Sequence, residues 1–346
     1  MTSYKFDEDI NHIKQIQFSV FSNDIITDYS SVNKDANGIN LPESYENSEP
    51  KRGGLVDTRL GITDYNLLCA YCGLGAKDCP GHFGHTKLVS PVFHFGFFST
   101  VKSILNCICL KSSRLLAHKF PEELNKIVRS YKGKRRFNEI KKLCMSVNVS
   151  DVGVPVPKIR EEKKKGTGAL YLVAETNLTN IVSEDGEVDD RKTVKEQLSA
   201  SDIYSIFRNV SDEDFRCLGF NPSLFRPEDL LLSTFPIPPV AIRPSLRADY
   251  LASTIYEDDL THKLADIIKT NEKLRTQKEK ELISGEESKY GIDLHNYLQY
   301  HVVTYFDNDK STFLTAEQKV GGKKFKSISE RIKSKKGRIR GNLMGK

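Results

Sequence analysis

The 346-residue chain is 38% hydrophobic and 28% charged with a net charge of +6, the proportions of a water-soluble chain large enough for roughly two or three domains, or one elongated domain with insertions. Its seven cysteines, an odd number, do not make a closed disulfide framework. The N-terminal MTSYKFDEDINHIKQIQFSVF has early acids and no apolar run, so neither secretion nor membrane spanning is expected. The excess charge is local: residues 321–346 carry seven Lys, three Arg and one Glu, whereas the other 320 residues hold 42 basic and 45 acidic side chains. A polyanion contact is therefore expected at that end of the sequence.

In chain order, Ile13, Ile16, Phe18 and Val20 alternate with polar neighbours and predict a strand running into a turn over 13–25. Residues 30–54, rich in Ser, Asn, Gly, Pro and Glu, read as a long surface loop or an extended crossing segment. The cluster CAYCGLGAKDCPGH follows at 69–82. The most apolar stretch comes next, where Pro91 is expected to separate a strand from a helix starting near Gly96. Residues 120–150 predict helix, with Pro121 in a first turn and Leu124, Ile127 and Val128 on one face. The charged run KIREEKKK reads as a solvated turn ahead of a strand-like run.

Ser201 or Asp202 is expected to cap a helix through Ile203, Ile206 and Phe207, and a second short helix should begin near Ser211. Four prolines in FPIPPVAIRPS predict an extended, polyproline-like path. Two helical stripes follow: Leu260, Leu264, Ile267, Ile268 and Leu274, then Leu294, Tyr297, Leu298, His301 and Val302. With ISGEESKYG between them they read as two antiparallel helices joined at a polar tip, or as an ordinary pair of surface helices.

The cluster carries the chemistry. Cys69-x2-Cys72 and Cys79-x2-His82 are two short pairs, each able to present both ligands to one ion. Thiolate and imidazole are the donors zinc prefers, and four of them close a structural site with no position for a catalytic water. Gly73, Gly75, Pro80 and Gly81 supply the turns. The rival is a redox Cys-x-x-Cys, but that motif opens a helix in a βαβ unit, and here a glycine-rich loop with further ligands follows. His85 competes with His82 for the fourth position, and the two-residue spacing favours His82. His94 and His118 read as core or surface histidines. Cys107, Cys109, Cys144 and Cys217 form no Cys-x2-Cys pair and read as buried thiols.

GGLVDTRLGITDYNLLCAYCGLGAKDCPGHFGH, PVFHFGFF, DFRCLGFNPSLFRPEDLLL, FPIPPVAIRPS, EDDLTHKLADIIKTN, LQYHVVTYFDND and KSISERIKSKKGRIRGNLMGK resemble the N-terminal clamp region of the largest subunit of multisubunit DNA-dependent RNA polymerases, of eukaryotic, archaeal and large-virus type. The resemblance runs nearly end to end, and residues 120–195 match only loosely. It implies an α+β fold: an irregular, zinc-bearing clamp domain with a projecting antiparallel helical hairpin, or coiled coil. Such a clamp closes over template DNA and the RNA–DNA hybrid as part of a nucleotidyltransferase.

By the same resemblance, Cys69, Cys72, Cys79 and His82 hold the first clamp zinc. A lid-like loop spans 245–259, and the clamp hairpin, a docking post for initiation and elongation factors, spans 257–306. A rudder-like loop spans 309–326 and a switch-like basic segment 327–346, where Lys333, Lys335, Arg338 and Arg340 face template phosphates. Implied partners are the other polymerase subunits, including the second-largest and the catalytic remainder of the largest. The implied location is intracellular: the nucleus, or the cytoplasm or virion for a viral protein.

Two departures from the family pattern matter. Its second clamp zinc uses a Cys-x2-Cys after the apolar helix and two further cysteines. Cys109 and Cys144 fit two of those positions, Ser112 stands in the place of the second thiol, and the fourth, expected just before a glycine such as Gly153, is missing. One Zn2+ is therefore expected, not two. The sequence also ends inside a segment that continues in the family, and the Asp-rich Mg2+ loop has no counterpart. A split subunit or truncated product, not catalytic alone, is expected. The alternative is a free-standing zinc-containing interaction protein derived from a polymerase clamp; a downstream reading frame carrying the magnesium aspartates would separate the two. A zinc-finger DNA binder is disfavoured because no finger-type recognition helix follows the cluster.

Overall fold

The computed structural model describes residues 15–16, 18–47, 49–163, 170–178, 192–248, 251–285, 288–309 and 324–345. Within them the chain is α+β, with small antiparallel sheets and helices gathered around two apolar cores. No helix among the described residues is long and apolar enough to cross a membrane.

Of the stretch 13–25, where a strand is expected, residues 13, 14 and 17 lie outside the described residues, and no strand forms in the rest. Ile16 and Phe18 are 73% and 92% exposed, so no sheet buries their alternation. Instead α1 (Asn23–Asp28) starts at Ser22, whose Oγ accepts from the Ile25 amide at 3.2 Å. Residues 30–54 cross the molecule: Val32 and Ile39 are fully buried, and the Ser31 and Ile39 amides donate to the Phe83 and His85 carbonyls. Only the short ladder β1 (Tyr45–Glu46) and β2 (Glu49–Pro50) interrupts this path.

β3 (Gly84–Phe93) contains Pro91 and is not ended by it. Its antiparallel pairing to a later strand shifts register between Lys87 and Val92, so the missing N–H falls in the unpaired stretch. α2 (Phe98–Leu105) begins two residues beyond Gly96. The helical stretch 120–150 is two helices, α3 (Pro121–Ser130) and α4 (Gly133–Met145), with Leu124 of α3 turned into the core.

The charged run read as a solvated turn is mostly strand β4 (Lys158–Lys163), paired with β5 (Leu170–Leu178), which pairs in turn with β6 (Lys192–Leu198). Its charges are matched between strands, Arg160 to Glu175 and Glu162 to Lys195, both at 2.9 Å, while Ile159 faces the core. α5 (Ala200–Arg208) is capped by Ser199, not Ser201 or Asp202; Asp202 sits three residues on and closes the capping box. α6 (Asp212–Cys217) follows its cap Ser211, as the spacing predicts. The first core lies among α2 to α6 and the β4–β6 sheet.

The proline-rich stretch is extended as β7 (Leu231–Ile237), the partner of β3, and then turns through Val240–Ile242. β8 (Leu246–Ala248) and β9 (Leu251–Tyr256) pair within the segment expected to be lid-like. α7 (Asp259–Ser284) and α8 (Lys289–Phe306) run antiparallel: Lys263 Nζ is 3.0 Å from His301 Nδ1 near one end, and Gln277 donates to Ser288 Oγ at 2.9 Å near the other. The predicted stripe is buried from Leu260 to Leu274 and at Leu294, Leu298 and Val302, whereas Tyr297 is 50% exposed and lies off it.

Two amide side chains dock these helices on β3 where β7 leaves it short of partners. Asn271 accepts from the Val89 amide and donates to the Lys87 carbonyl; Gln299 does the same with both backbone groups of Phe93. This joins the helix pair to the second core, which also holds the crossing segment. Most of the rudder-like stretch, residues 310–323, lies outside the described residues. The chain then forms α9 (Ile328–Lys333) and a wide π-type turn over Arg338–Met344.

Candidate metal centre and its counterpart

A buried carboxylate anchors the approach to the cluster. Asp57 accepts from the Gly53 amide at 2.6 Å and the Arg59 amide at 2.9 Å, and pairs with the Arg59 guanidinium, which also reaches Asp35 at 2.7 Å. Burial alone would raise the Asp57 carboxyl, but these donors outweigh it and hold it below the ordinary range. The crossing segment is thereby fixed to the short 3-10 turn Thr58–Leu60 that leads toward the cysteines.

The first pair then folds as a knuckle. The Cys69 amide donates to Leu74 O at 3.0 Å, the Gly73 amide to Cys69 O at 2.8 Å, and Leu68 bridges Gly75. Gly73 takes φ +73° to close the turn. Backbone donors now face sulfur: the Cys72 thiol is drawn down to about 7, chiefly by the Leu74 amide and next by the His82 ring. The second pair turns at Gly81, φ +80°, where a Cβ would stand 2.7 Å from Pro239 Cβ, so only glycine lets the loop press on the proline-rich segment.

The donor atoms of Cys69, Cys72, Cys79 and His82 lie within 4.8 Å of one another. Cys72 Sγ to Cys79 Sγ and Cys79 Sγ to His82 Nε2 are both 3.6 Å. A tetrahedron with metal–sulfur bonds of about 2.3 Å has edges of about 3.8 Å, so the arrangement fits a four-coordinate ion with little adjustment. His85 is elsewhere: fully buried in β3, its Nδ1 is 2.8 Å from Ser30 Oγ.

The same backbone recurs further along. The Cys109 amide donates to Arg114 O and the Ser113 amide to Cys109 O, both at 2.9 Å, and Ile108 bridges Leu115. Ser113 takes φ +56°, a conformation rare for a residue with a side chain. Ser112 occupies the place that Cys72 has in the first knuckle. A third, one residue shorter, is built at Ser150: its amide donates to Val154 O at 2.8 Å, the Gly153 amide to Ser150 O at 3.1 Å, Val149 bridges Pro155, and Gly153 has φ +74°.

These two knuckles face each other. Ser112 Oγ donates to Asp151 at 3.2 Å, and the Cys109 thiol meets the hydroxyls of both Ser112 and Ser150. Burial would raise that thiol, but Ser112, the Lys111 amide and Ser150 together hold it below its ordinary value. Cys144, expected to share a remnant site with Cys109, is carried by α4 into the core instead, its Sγ 3.7 Å from Cys107 O. The residue that fills the corner before Gly153 is Ser150, which the sequence reading passed over because serine is no mark of a ligand.

Of the basic tail residues, Lys333 ends α9, Lys335 follows it, and Arg338 and Arg340 lie in the π-type turn; all four are exposed. The segment is tied to the start of α7, where Arg331 pairs with Asp258 and the Lys326 amide donates to Asp259 at 3.0 Å.

Fold and site define an α+β protein with a knuckle-built Cys3His cluster that can hold a metal ion. The chain belongs to the family described as RNA polymerase Rpb1, domain 1, which it matches over residues 10–343. It is 42% identical, over 355 aligned positions covering all of this chain, to the DNA-directed RNA polymerase subunit 1 of Acanthamoeba polyphaga mimivirus. It spans 23% of the length of that relative.

Proposed function

We propose that this chain is the clamp segment of the largest subunit of a multisubunit DNA-dependent RNA polymerase, working inside the cell or virion by closing over template DNA and the RNA–DNA hybrid. Membership of the Rpb1 domain 1 family along nearly the whole chain is the observation that carries this reading. Cys69, Cys72, Cys79 and His82 hold one structural zinc ion, which supplies folding free energy and no reaction chemistry. Lys333, Lys335, Arg338 and Arg340 take template phosphates without reading bases, as transcription of any sequence requires.

In this reading β8 and β9 belong to the lid, residues 309–326 to the rudder, and α7 with α8 form the clamp coiled coil. Catalysis belongs to magnesium-binding residues outside this segment. Its tip fits a factor-docking role, since Leu282 and Ile283 at the end of α7 are 89% and 88% exposed. The test is co-purification: the tagged chain, expressed in its native host, should bring down the second-largest subunit and a catalytic fragment with nucleotidyltransferase activity. Recovery of the chain without any polymerase subunit would sink the proposal.

A further inference from the structure

We propose that the turn between α3 and α4 is a second DNA contact, taking the phosphate backbone of duplex DNA through Lys126, Arg129, Lys132, Lys134 and Arg135. The inference rests on the clamp reading and adds a surface that the basic tail does not account for. Residues 126–142 hold five lysines and three arginines against one glutamate, an excess that the net charge of residues 1–320 hides because acids elsewhere in that stretch offset it.

The structure sorts these cations. Arg136 is spent on the backbone, donating to Tyr131 O at 2.8 Å and Val128 O at 2.9 Å; Lys141 donates to Ser103 Oγ at 3.0 Å, and Lys142 pairs with Glu139 at 2.8 Å. The other five side chains are exposed, and none is ion-paired among the described residues. Their direction follows from packing: α3 buries Leu124 and α4 buries Ile140 and Cys144, which leaves Lys126, Arg129, Lys134 and Arg135 on the outer faces. The acids of α3, Glu122 and Glu123, sit in its first turn, away from this end.

Clustered like charges repel and add nothing to the fold, so a ridge of this kind fits an external polyanion. Duplex fits better than single strand. Sequence-tolerant single-strand binding stacks bases on open aromatic faces, and the aromatic residue of this turn, Tyr131, is half-buried with the Arg135 guanidinium 5.1 Å over its ring. Cations fixed on two helices and the turn between them suit the regular phosphates of a duplex.

The experiment measures binding of the 346-residue chain to a labelled random-sequence duplex by anisotropy across a salt series. It compares wild type with K132E/K134E/R135E, K132Q/K134Q/R135Q and R338E/R340E. Acids in the first turn of α4 favour the helix dipole, so the reversed variant should keep its fold, checked by circular dichroism. Each phosphate contact contributes about 0.9 to the salt slope, so the Gln variant should lower the slope by about 2.7 and weaken binding at low salt by about tenfold or more.

Unchanged affinity and slope in both ridge variants, with loss in R338E/R340E, would overturn the ridge and leave the clamp reading standing. Ridge variants that keep DNA affinity but lose binding to an acidic peptide would give the surface to a protein partner and likewise overturn it. A wild-type chain that binds no duplex removes the ridge as well, while the polymerase reading is still judged by co-purification.

Discussion

The two knuckle systems share a backbone and differ in what stands behind it. Around the first, Tyr65, Leu68, Tyr71, Leu74 and Phe83 are all more than 40% exposed. Around the second, Ile108, Leu115, Leu116 and Val147 are buried in the core shared by α2 to α6. A loop with no apolar core of its own needs another source of folding free energy, and a four-ligand ion can supply it. A loop that already sits on a core can keep its turns with hydroxyl groups. Hydroxyls are therefore tolerable at 112 and 150, and one at 72 should not be.

The sharpest way to break this contrast is Cys72→Ser. Structural zinc contributes about 10–16 kcal/mol in finger peptides, as much as the whole stability of an ordinary domain. Loss of the ion should leave residues 61–83 unfolded while the first core, among α2 to α6, survives. Hydrogen exchange should show protection lost at 61–83 and kept at 107–116, and metal analysis should fall from about one zinc per chain to none. Retained zinc with unchanged protection would mean that the first knuckle does not depend on metal.

Next in size is a gain. Ser112→Cys with Ser150→Cys places two more thiols beside Cys109, with Asp151 as the nearest fourth donor, on a backbone already turned for ligands. The metal content should rise from about one to about two zinc ions per chain, and cobalt substitution should show a second thiolate band. A double variant that binds no additional metal would show that the resemblance between the two backbones is superficial.

What could be read from sequence follows the same physical line. The first cluster was legible because cysteine and histidine at knuckle spacing have few other uses, and α7 and α8 because five buried residues on the one and three on the other recur at helical period. Ser150 was not legible, since serine is common and its role appears only when Ser112 and Cys109 come to meet it across the fold. Ser113 was hidden similarly: a left-handed turn is advertised by glycine at 73 and 153, but not by serine. β4 was misread because its charges are matched by partners on β5 and β6 that no local window contains. The strand expected over 13–25 is absent from the described residues of that stretch for the opposite reason: an alternating pattern needs a sheet to face, and Phe18 has none.

The smallest expected effects test the hydroxyl half of the comparison. Ser150 is 3% exposed, and its Oγ both donates to Val154 O at 2.9 Å and accepts from the Val154 amide at 3.2 Å, besides meeting Cys109. Ser112 reaches Asp151 at an exposed site. Ser150→Ala should therefore cost about 1–2 kcal/mol, and Ser112→Ala no more than about 0.5 kcal/mol, measured by denaturant unfolding of the first core. Neither substitution should alter zinc content. The order matters more than the sizes: if Ser112→Ala were the costlier of the two, the exposed hydroxyl would be the main staple of the second system. The buried core would then not be what allowed it to do without thiols.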